Sequence, residues 1–193
     1  MRGLLQEFKT QISLSFQLTS IYDHTIYEAL SKVVQKLLPQ VAFISSMMDT
    51  LISRSKIQKA FLFDVISKIY IATDSSPVNM QHYEICSELI DVLIDVTCIY
   101  GVDEAGGTKF DKKSSSIIRL AHANSQENIV LYLREVDKCL ALVCLINESE
   151  THKQHLINYN IDRFKEGLKR IFEHSSALMQ EHNEDWEVWL KSS

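Results

Sequence analysis

An α/β fold of the α+β kind, a five-stranded antiparallel sheet with helices on its faces, is predicted by three features of the sequence. From residue 41 the apolar periodicities run in the order α-β-β-α-β-β-β-α. Connections inside the strand pairs are too short for the crossover that a parallel pair needs, so chain neighbours pair antiparallel. Finally, 46% of the 193 residues are hydrophobic and only five are Gly and two Pro, enough apolar length for a real core.

Ahead of that order, residues 12–18, ISLSFQL, alternate with period two and place Ile12, Leu14, Phe16 and Leu18 on one face of a half-buried strand. A helix follows in which Ile26, Ala29, Leu30, Val33, Val34, Leu37 and Leu38 recur every three or four residues, with Asp23 as N-cap and Pro39 as stop. A second helix runs from about Ser45 to Ser55 with Met47, Met48, Leu51 and Ile52 inward. AFLFDV and KIYIAT, joined at Ile66-Ser67, form a hairpin. Pro77 suits the first position of the next helix, about 78–100, with Ser75 or Ser76 as its cap, Gly101 as its stop and Gly106 and Gly107 in a loop. Three strands at 115–121, 128–136 and 139–146 lead to a final helix at about 157–178, where Glu166 and Arg170 are spaced to pair, and to an acidic segment, 179–193, that carries Trp186 and Trp189.

The helix at 78–100 holds more apolar surface than one sheet can use. At about 100° per residue, Glu84, Glu88, Asp91 and Asp95 share an arc of about 60°, while apolar residues fill about 220° of the rest. A helix on a single sheet needs little more than about 100°. A partner subunit, or the first or last helix, has to cover the surplus. Strand 115–121 follows the crossover loop and is placed at a sheet edge, which invites pairing with another chain. The predicted dimer interface is therefore Ile90, Val92 and Ile94 on the helix with Ser115, Ile117 and Arg119 on the strand.

Composition and motifs argue against chemistry by these residues. Twenty basic against 25 acidic residues, a net of −5 without runs of like charge, do not make a nucleic-acid surface. No apolar run approaches the roughly 20 residues that cross a bilayer, so the expectation is a soluble intracellular protein without membrane insertion. Cys86, Cys98, Cys139 and Cys144 have no zinc spacing and are expected as reduced core thiols, and His152 and His155 lack partners for a metal site, so no metal is assigned. Ser75 and Ser76 have no base and no GxSxG elbow, Asp64 and Asp74 sit at element ends, and the five glycines build no GxxxxGK[ST] loop. No catalytic residue is assigned.

The stretches LSFQLTSIYDHTIYEALSKVVQKLLPQ, KAFLFDVISKIYIATDSSPV and IDVLIDVTCIYG resemble the C-terminal half of the Rag-type GTPases of the C/D branch, over residues 12 to 172. The resemblance implies that residues 1–40 hold the last strand and helix of a Ras-like domain, that 41–178 form a roadblock/longin-like dimerisation domain, and that 179–193 are a tail. Thr19, Ser20 and Ile21 resemble the loop that approaches the guanine base. Implied partners are an A/B-type Rag subunit, a roadblock-containing scaffold at the lysosome and, indirectly, the TOR kinase complex, in amino-acid signalling from a cytoplasmic protein recruited to the lysosomal surface. GTP or GDP is the ligand of the full-length family. The phosphate loop, both switches and the guanine-specifying NKxD have no counterpart in these 193 residues, so no cofactor is expected for the chain alone. Two alternatives stand beside this interaction module: a fragment of a complete GTP-hydrolysing protein, and a free-standing roadblock adaptor.

Overall fold

Five antiparallel strands lie in the order β2-β1-β5-β4-β3, in a computed structural model that describes residues 14–100, 115–120, 128–137 and 139–192. In chain order the elements are α1 (Thr25–Leu37), α2 (Val41–Ser55), β1 (Lys59–Asp64), β2 (Tyr70–Thr73), α3 (Met80–Tyr100), β3 (Ser115–Leu120), β4 (Ile129–Asp137), β5 (Leu140–Asn147), a 3-10 turn (Glu148–Lys153) and α4 (Gln154–Ser192). The order expected from residue 41 onward is the order observed. The loop glycines 101, 106 and 107 lie outside the described residues.

Both faces of the sheet are covered, and the period of two along each strand sorts its residues between them. On one face Ile44, Met48 and Leu51 of α2 and Ile157, Ile161, Phe164 and Leu168 of α4 close over Leu62, Ala72, Leu142 and Cys144. On the other, Tyr83, Cys86, Leu89 and Ile90 of α3 cover Phe61, Phe63, Tyr70, Leu133 and Val143. Phe61, Phe63, Tyr70 and Tyr83 form an aromatic cluster with centroids 5.6–5.8 Å apart between neighbouring rings. The Tyr83 hydroxyl donates to the Lys68 carbonyl at 2.8 Å, which gives this buried ring a polar anchor.

A buried ion pair fastens the sheet to the β2–α3 connection. Lys59 Nζ lies 3.1 Å from Asp74 Oδ1, with both side chains at most 4% exposed. Lys59 also donates to the Ser76 carbonyl at 2.7 Å and to Ser76 Oγ at 3.0 Å. Asp74 accepts from Ala60 N at 3.1 Å, from Ser76 N at 3.0 Å and from the Ser76 hydroxyl. Ser75 donates its N–H, at 2.8 Å, and its hydroxyl to Asp49 of α2. Every charge in this knot therefore meets several donors or acceptors, the condition under which a buried pair is tolerated. Burial by itself would raise the Asp74 carboxyl; the donors of Ser76, Ala60 and Lys59 outweigh it and hold the group below its ordinary value.

Several sequence expectations are corrected. Residues 14–20 are not a strand, and Leu14, Phe16 and Leu18 are exposed, because no described strand pairs with them; residues 12 and 13 lie outside the description. Helix α1 turns its apolar stripe outward: Ile26, Leu30, Val33 and Leu37 are exposed while Ser31 is buried. Helix α2 begins at Val41, not near Ser45. Helix α3 begins at Met80, and neither Ser75 nor Ser76 caps it. Asn79 does so, its Oδ1 accepting from Gln81 N at 2.9 Å and its carbonyl from Tyr83 N at 3.1 Å, while the serines are committed to Asp49 and Asp74. Asp23 accepts from Thr25 N at 2.9 Å one residue outside the His24 cap position of α1. The hairpin turn is longer than two residues: Asp64 accepts from Ser67 N at 3.0 Å, and Lys68 takes the left-handed conformation (φ 60°) that such turns usually give to glycine. Helix α4 runs unbroken through residue 178 to Ser192. Glu166 pairs with Arg163, at 2.8 Å, instead of Arg170. Cys86 and Cys144 are buried, with their thiols raised by desolvation, but Cys139 is exposed at the β4–β5 turn; the Cys98 side chain lies outside the description.

Urea unfolding tests the knot. Asp74→Ala leaves the Lys59 ammonium buried without its carboxylate and should cost about 3–5 kcal/mol, part of which Lys59→Met recovers in the same background. Because the folded Asp74 carboxyl titrates below its ordinary value of 3.8, its contribution is complete above about pH 5, begins to fall as pH drops through the ordinary value and is lost as pH falls through the folded value. A stability–pH series should show that acid-side loss in the parent chain and a smaller one in Asp74→Asn.

Candidate interaction surface

The two rims of the sheet are treated differently. Along β2, Tyr70 N donates to Ser31 Oγ at 3.1 Å and the Tyr70 carbonyl accepts from Gln35 Nε2 at 3.4 Å. Ser31 Oγ in turn donates to the Tyr27 carbonyl at 2.7 Å. Helix α1 thus closes the β2 rim with its polar side, as backbone groups withheld from water require. The β3 rim has no such cover: among the described residues β3 pairs with β4 alone, in register from Ser115↔Arg134 to Leu120↔Ile129. The expected edge position of this strand is the observed one.

Beside that open rim lies the uncovered flank of α3. Tyr83 and Glu84 mark the flank toward β2, where Glu84 Oε1 lies 3.5 Å from His24 Nδ1 and Asp91 pairs with Lys68 of the hairpin turn at 2.7 Å. Val92, Val96 and Ile99, at i, i+4 and i+7, form one stripe on the opposite flank, the side of β4 and β3, and are 52%, 44% and 65% exposed. From β3, Ile118 and Leu120 turn toward the α3 core. Ile117, 46% exposed, and Arg119 turn to the α4 side, where Arg119 Nε meets Glu148 Oε1 at 3.4 Å.

Of the sequence-predicted interface residues, Val92, Ile117 and Arg119 are accessible. Ile90 is 1% exposed and packs into the protein's own core, so it is withdrawn from the interface. Ile94 is half-buried on the margin of the same cluster, away from the Val92 stripe. The Ser115 side chain lies outside the description. Thr19 and Ile21 are exposed in the segment before α1, and Ser20 is held there by its N–H donating to Thr25 Oγ1 at 2.8 Å. Sequence reasoning did not single out Val96, Ile99, Ser31 or Gln35; a serine among the apolar residues of α1 was the signal for the last pair.

Among known proteins, residues 2–90 match the Gtr1/RagA G protein conserved region. The chain is 54% identical over 164 residues to Ras-related GTP-binding protein C of Mus musculus, covering 84% of this chain and 40% of that protein. It is 54% identical to Ras-related GTP-binding protein D of the same organism, covering 84% and 35%, and 44% identical over 174 residues to GTP-binding protein GTR2 of Saccharomyces cerevisiae, covering 86% and 51%. The chain thus spans about half or less of these relatives. By shape it is similar to Myxococcus xanthus MglB (TM-score 0.51, 16% identity, 71% of this chain and 92% of the other) and to the gliding protein mglB of Thermus thermophilus (TM-score 0.52, 13% identity, 84% and 99%). At those identities the likeness concerns the fold, which is roadblock/longin-like.

The assignment of faces predicts distinct outcomes in thermal unfolding. Val92→Asp and Val96→Asp, at exposed positions, should change stability by no more than about 1 kcal/mol, whereas Ile90→Asp buries a lone charge and should unfold the domain. Ser31→Ala strips Tyr70 N–H of its acceptor and should cost about 1–3 kcal/mol.

Proposed function

The chain belongs to the Gtr1/RagA family of G proteins as the C-terminal part of a Rag C/D-type GTP-binding protein, and from that premise we propose that it is the heterodimerisation and docking half of such a protein. Its partner is an A/B-type Rag subunit with a domain of the same fold. The observation that carries the reading is the open β3 rim beside the exposed Val92–Val96–Ile99 stripe. A second sheet can extend this one through β3 while its own helix packs on that stripe. Docking of the pair on a roadblock-containing scaffold at the lysosomal surface, and through it an effect of amino acids on the TOR kinase, follow from the family. No helix among the described residues is long and apolar enough to cross a membrane, and recruitment through a scaffold needs none.

Nucleotide binding belongs to the complete protein. The residues that hold phosphate and specify guanine in the family have no counterpart in these 193. What the chain retains is the segment of Thr19, Ser20 and Ile21, which in the complete protein approaches the base, and the outward apolar stripe of α1. With Leu14, Phe16 and Leu18, that stripe favours the reading of the chain as part of a complete GTP-hydrolysing protein, whose remaining Ras-like sheet would cover it.

Co-expression with an A/B-type subunit tests the proposal. The two should purify as a one-to-one heterodimer, lost in Val92→Asp/Val96→Asp although that variant folds, and the 193-residue chain alone should not retain labelled GTP. A monodisperse monomer indifferent to the partner, or stoichiometric GTP binding by the isolated chain, would sink it.

A further inference from the structure

On the face of the sheet opposite α3, helices α2 and α4 run antiparallel and leave a groove of about 400 Å³ between them. Its ends are closed. At one, α4 has no side chain at Gly167, where a Cβ would run into the terminal methyl of Met47. At the other, Asn160 Nδ2 donates to the buried Ser55 Oγ at 2.9 Å. Leu51 and Phe164, both nearly buried, make an apolar floor, and the exposed Tyr159 ring stands at the rim.

The rim carries one uncompensated positive charge, Arg54, although the chain as a whole carries a net charge of −5. Arg163 stacks over Tyr159, with its guanidinium carbon 5.3 Å from the ring centroid, and is held by Glu166 at 2.8 Å. Arg54 faces the same groove and is exposed, with neither an ion pair nor a hydrogen bond among the described residues. A guanidinium in this setting selects a carboxylate, which it grips with two parallel hydrogen bonds, and the apolar floor selects a bulky hydrocarbon or aromatic side chain. The groove is two helical turns long, room for one anchoring side chain and its neighbours and too short to seat a helix. Two arginines are also too few for a nucleic-acid backbone.

We infer that the α2–α4 groove binds an acidic segment of a partner protein, with one aromatic or leucine side chain seated on Leu51 and Phe164 and an adjacent carboxylate held by Arg54. This surface is separate from the β3 rim and remains available when that rim is occupied.

The test uses the full chain, alone and as the A/B-type heterodimer, with a fluorescein-labelled peptide of sequence DEDWEEL in an anisotropy titration. Saturable binding is expected, weakened by salt, by replacement of the peptide's Trp with Ala, and roughly tenfold by Arg54→Glu with an unchanged melting curve. Phe164→Leu, which keeps the floor apolar while altering its shape, should weaken the Trp peptide and spare the Ala peptide's residual binding. Failure of the acidic peptide to bind, equal binding of a charge-reversed KRKWKKL peptide, or an affinity indifferent to Arg54→Glu would overturn the inference. Concentration-dependent self-association abolished by Arg54→Glu would give the groove to a second copy and overturn it equally. Loss of heterodimer formation in Val92→Asp/Val96→Asp bears on the proposed function alone, since that variant leaves the groove intact.

Discussion

Unpaired backbone groups along the rim of a β-sheet must find water, a side chain or another strand, and most of this molecule's unusual features trace to how that requirement is met. At β2 it is met internally. Ser31 and Gln35 bring hydroxyl and amide groups to Tyr70, and to do so α1 must present its polar side to the domain. The apolar stripe of α1 is thereby turned outward, against the usual rule for an amphipathic helix. Exposed Leu30, Val33 and Leu37 are thus the counterpart of a satisfied sheet edge. At β3 the requirement is left to solvent or to another chain, and the exposed stripe of α3 lies on that side.

The polar knot around Lys59 and Asp74 serves the same arrangement from within. It ties the first residue of β1 to the connection that launches α3, while Asp49 ties that connection to α2 on the other face. The helix that carries the exposed stripe is therefore fixed relative to the sheet at its N-terminal end, and by Tyr83 and Asp91 along its length. An interface built from one strand and one helix needs the two held in fixed relation, and this network supplies the rigidity. Asp74 and Ser76 are engaged with each other and with Lys59, Asp64 with Ser67, and Ser75 with Asp49 of α2.

Much of this was legible in the sequence, and what was not has a common cause. Strands β3, β4 and β5 fall within one residue of their predicted bounds because each is a short apolar run bounded by polar residues. The family resemblance rested on contiguous stretches, and it agrees with the relatives found. The misreadings concern contacts between residues far apart in the chain. The alternation of residues 12–18 describes a strand only if a neighbour exists to pair with it. Pro77 can open a helix, but Asn79 captures the cap because Ser75 and Ser76 are drawn to Asp49 and Asp74. Ile90 was assigned to a partner because a helix apolar over about 220° does not reveal which arc its own sheet takes. Tyr83 and the pairing of Glu84 with His24 decide that, and they place Val92, Val96 and Ile99 outside. Arg54, Tyr159 and Arg163 come from helices more than a hundred residues apart, so their shared groove left no local trace.

Amide hydrogen exchange along the two rims, with and without an A/B-type subunit, addresses the central claim most directly. If β3 is the pairing edge, those amides of residues 116–120 that point away from β4, every second one, exchange readily in the isolated chain and become protected in the complex, and the helical amides of 92–99 slow further, while Tyr70 N–H, already bonded to Ser31, is protected in both. Protection that appears elsewhere while residues 116–120 remain as exchangeable as before would contradict the account.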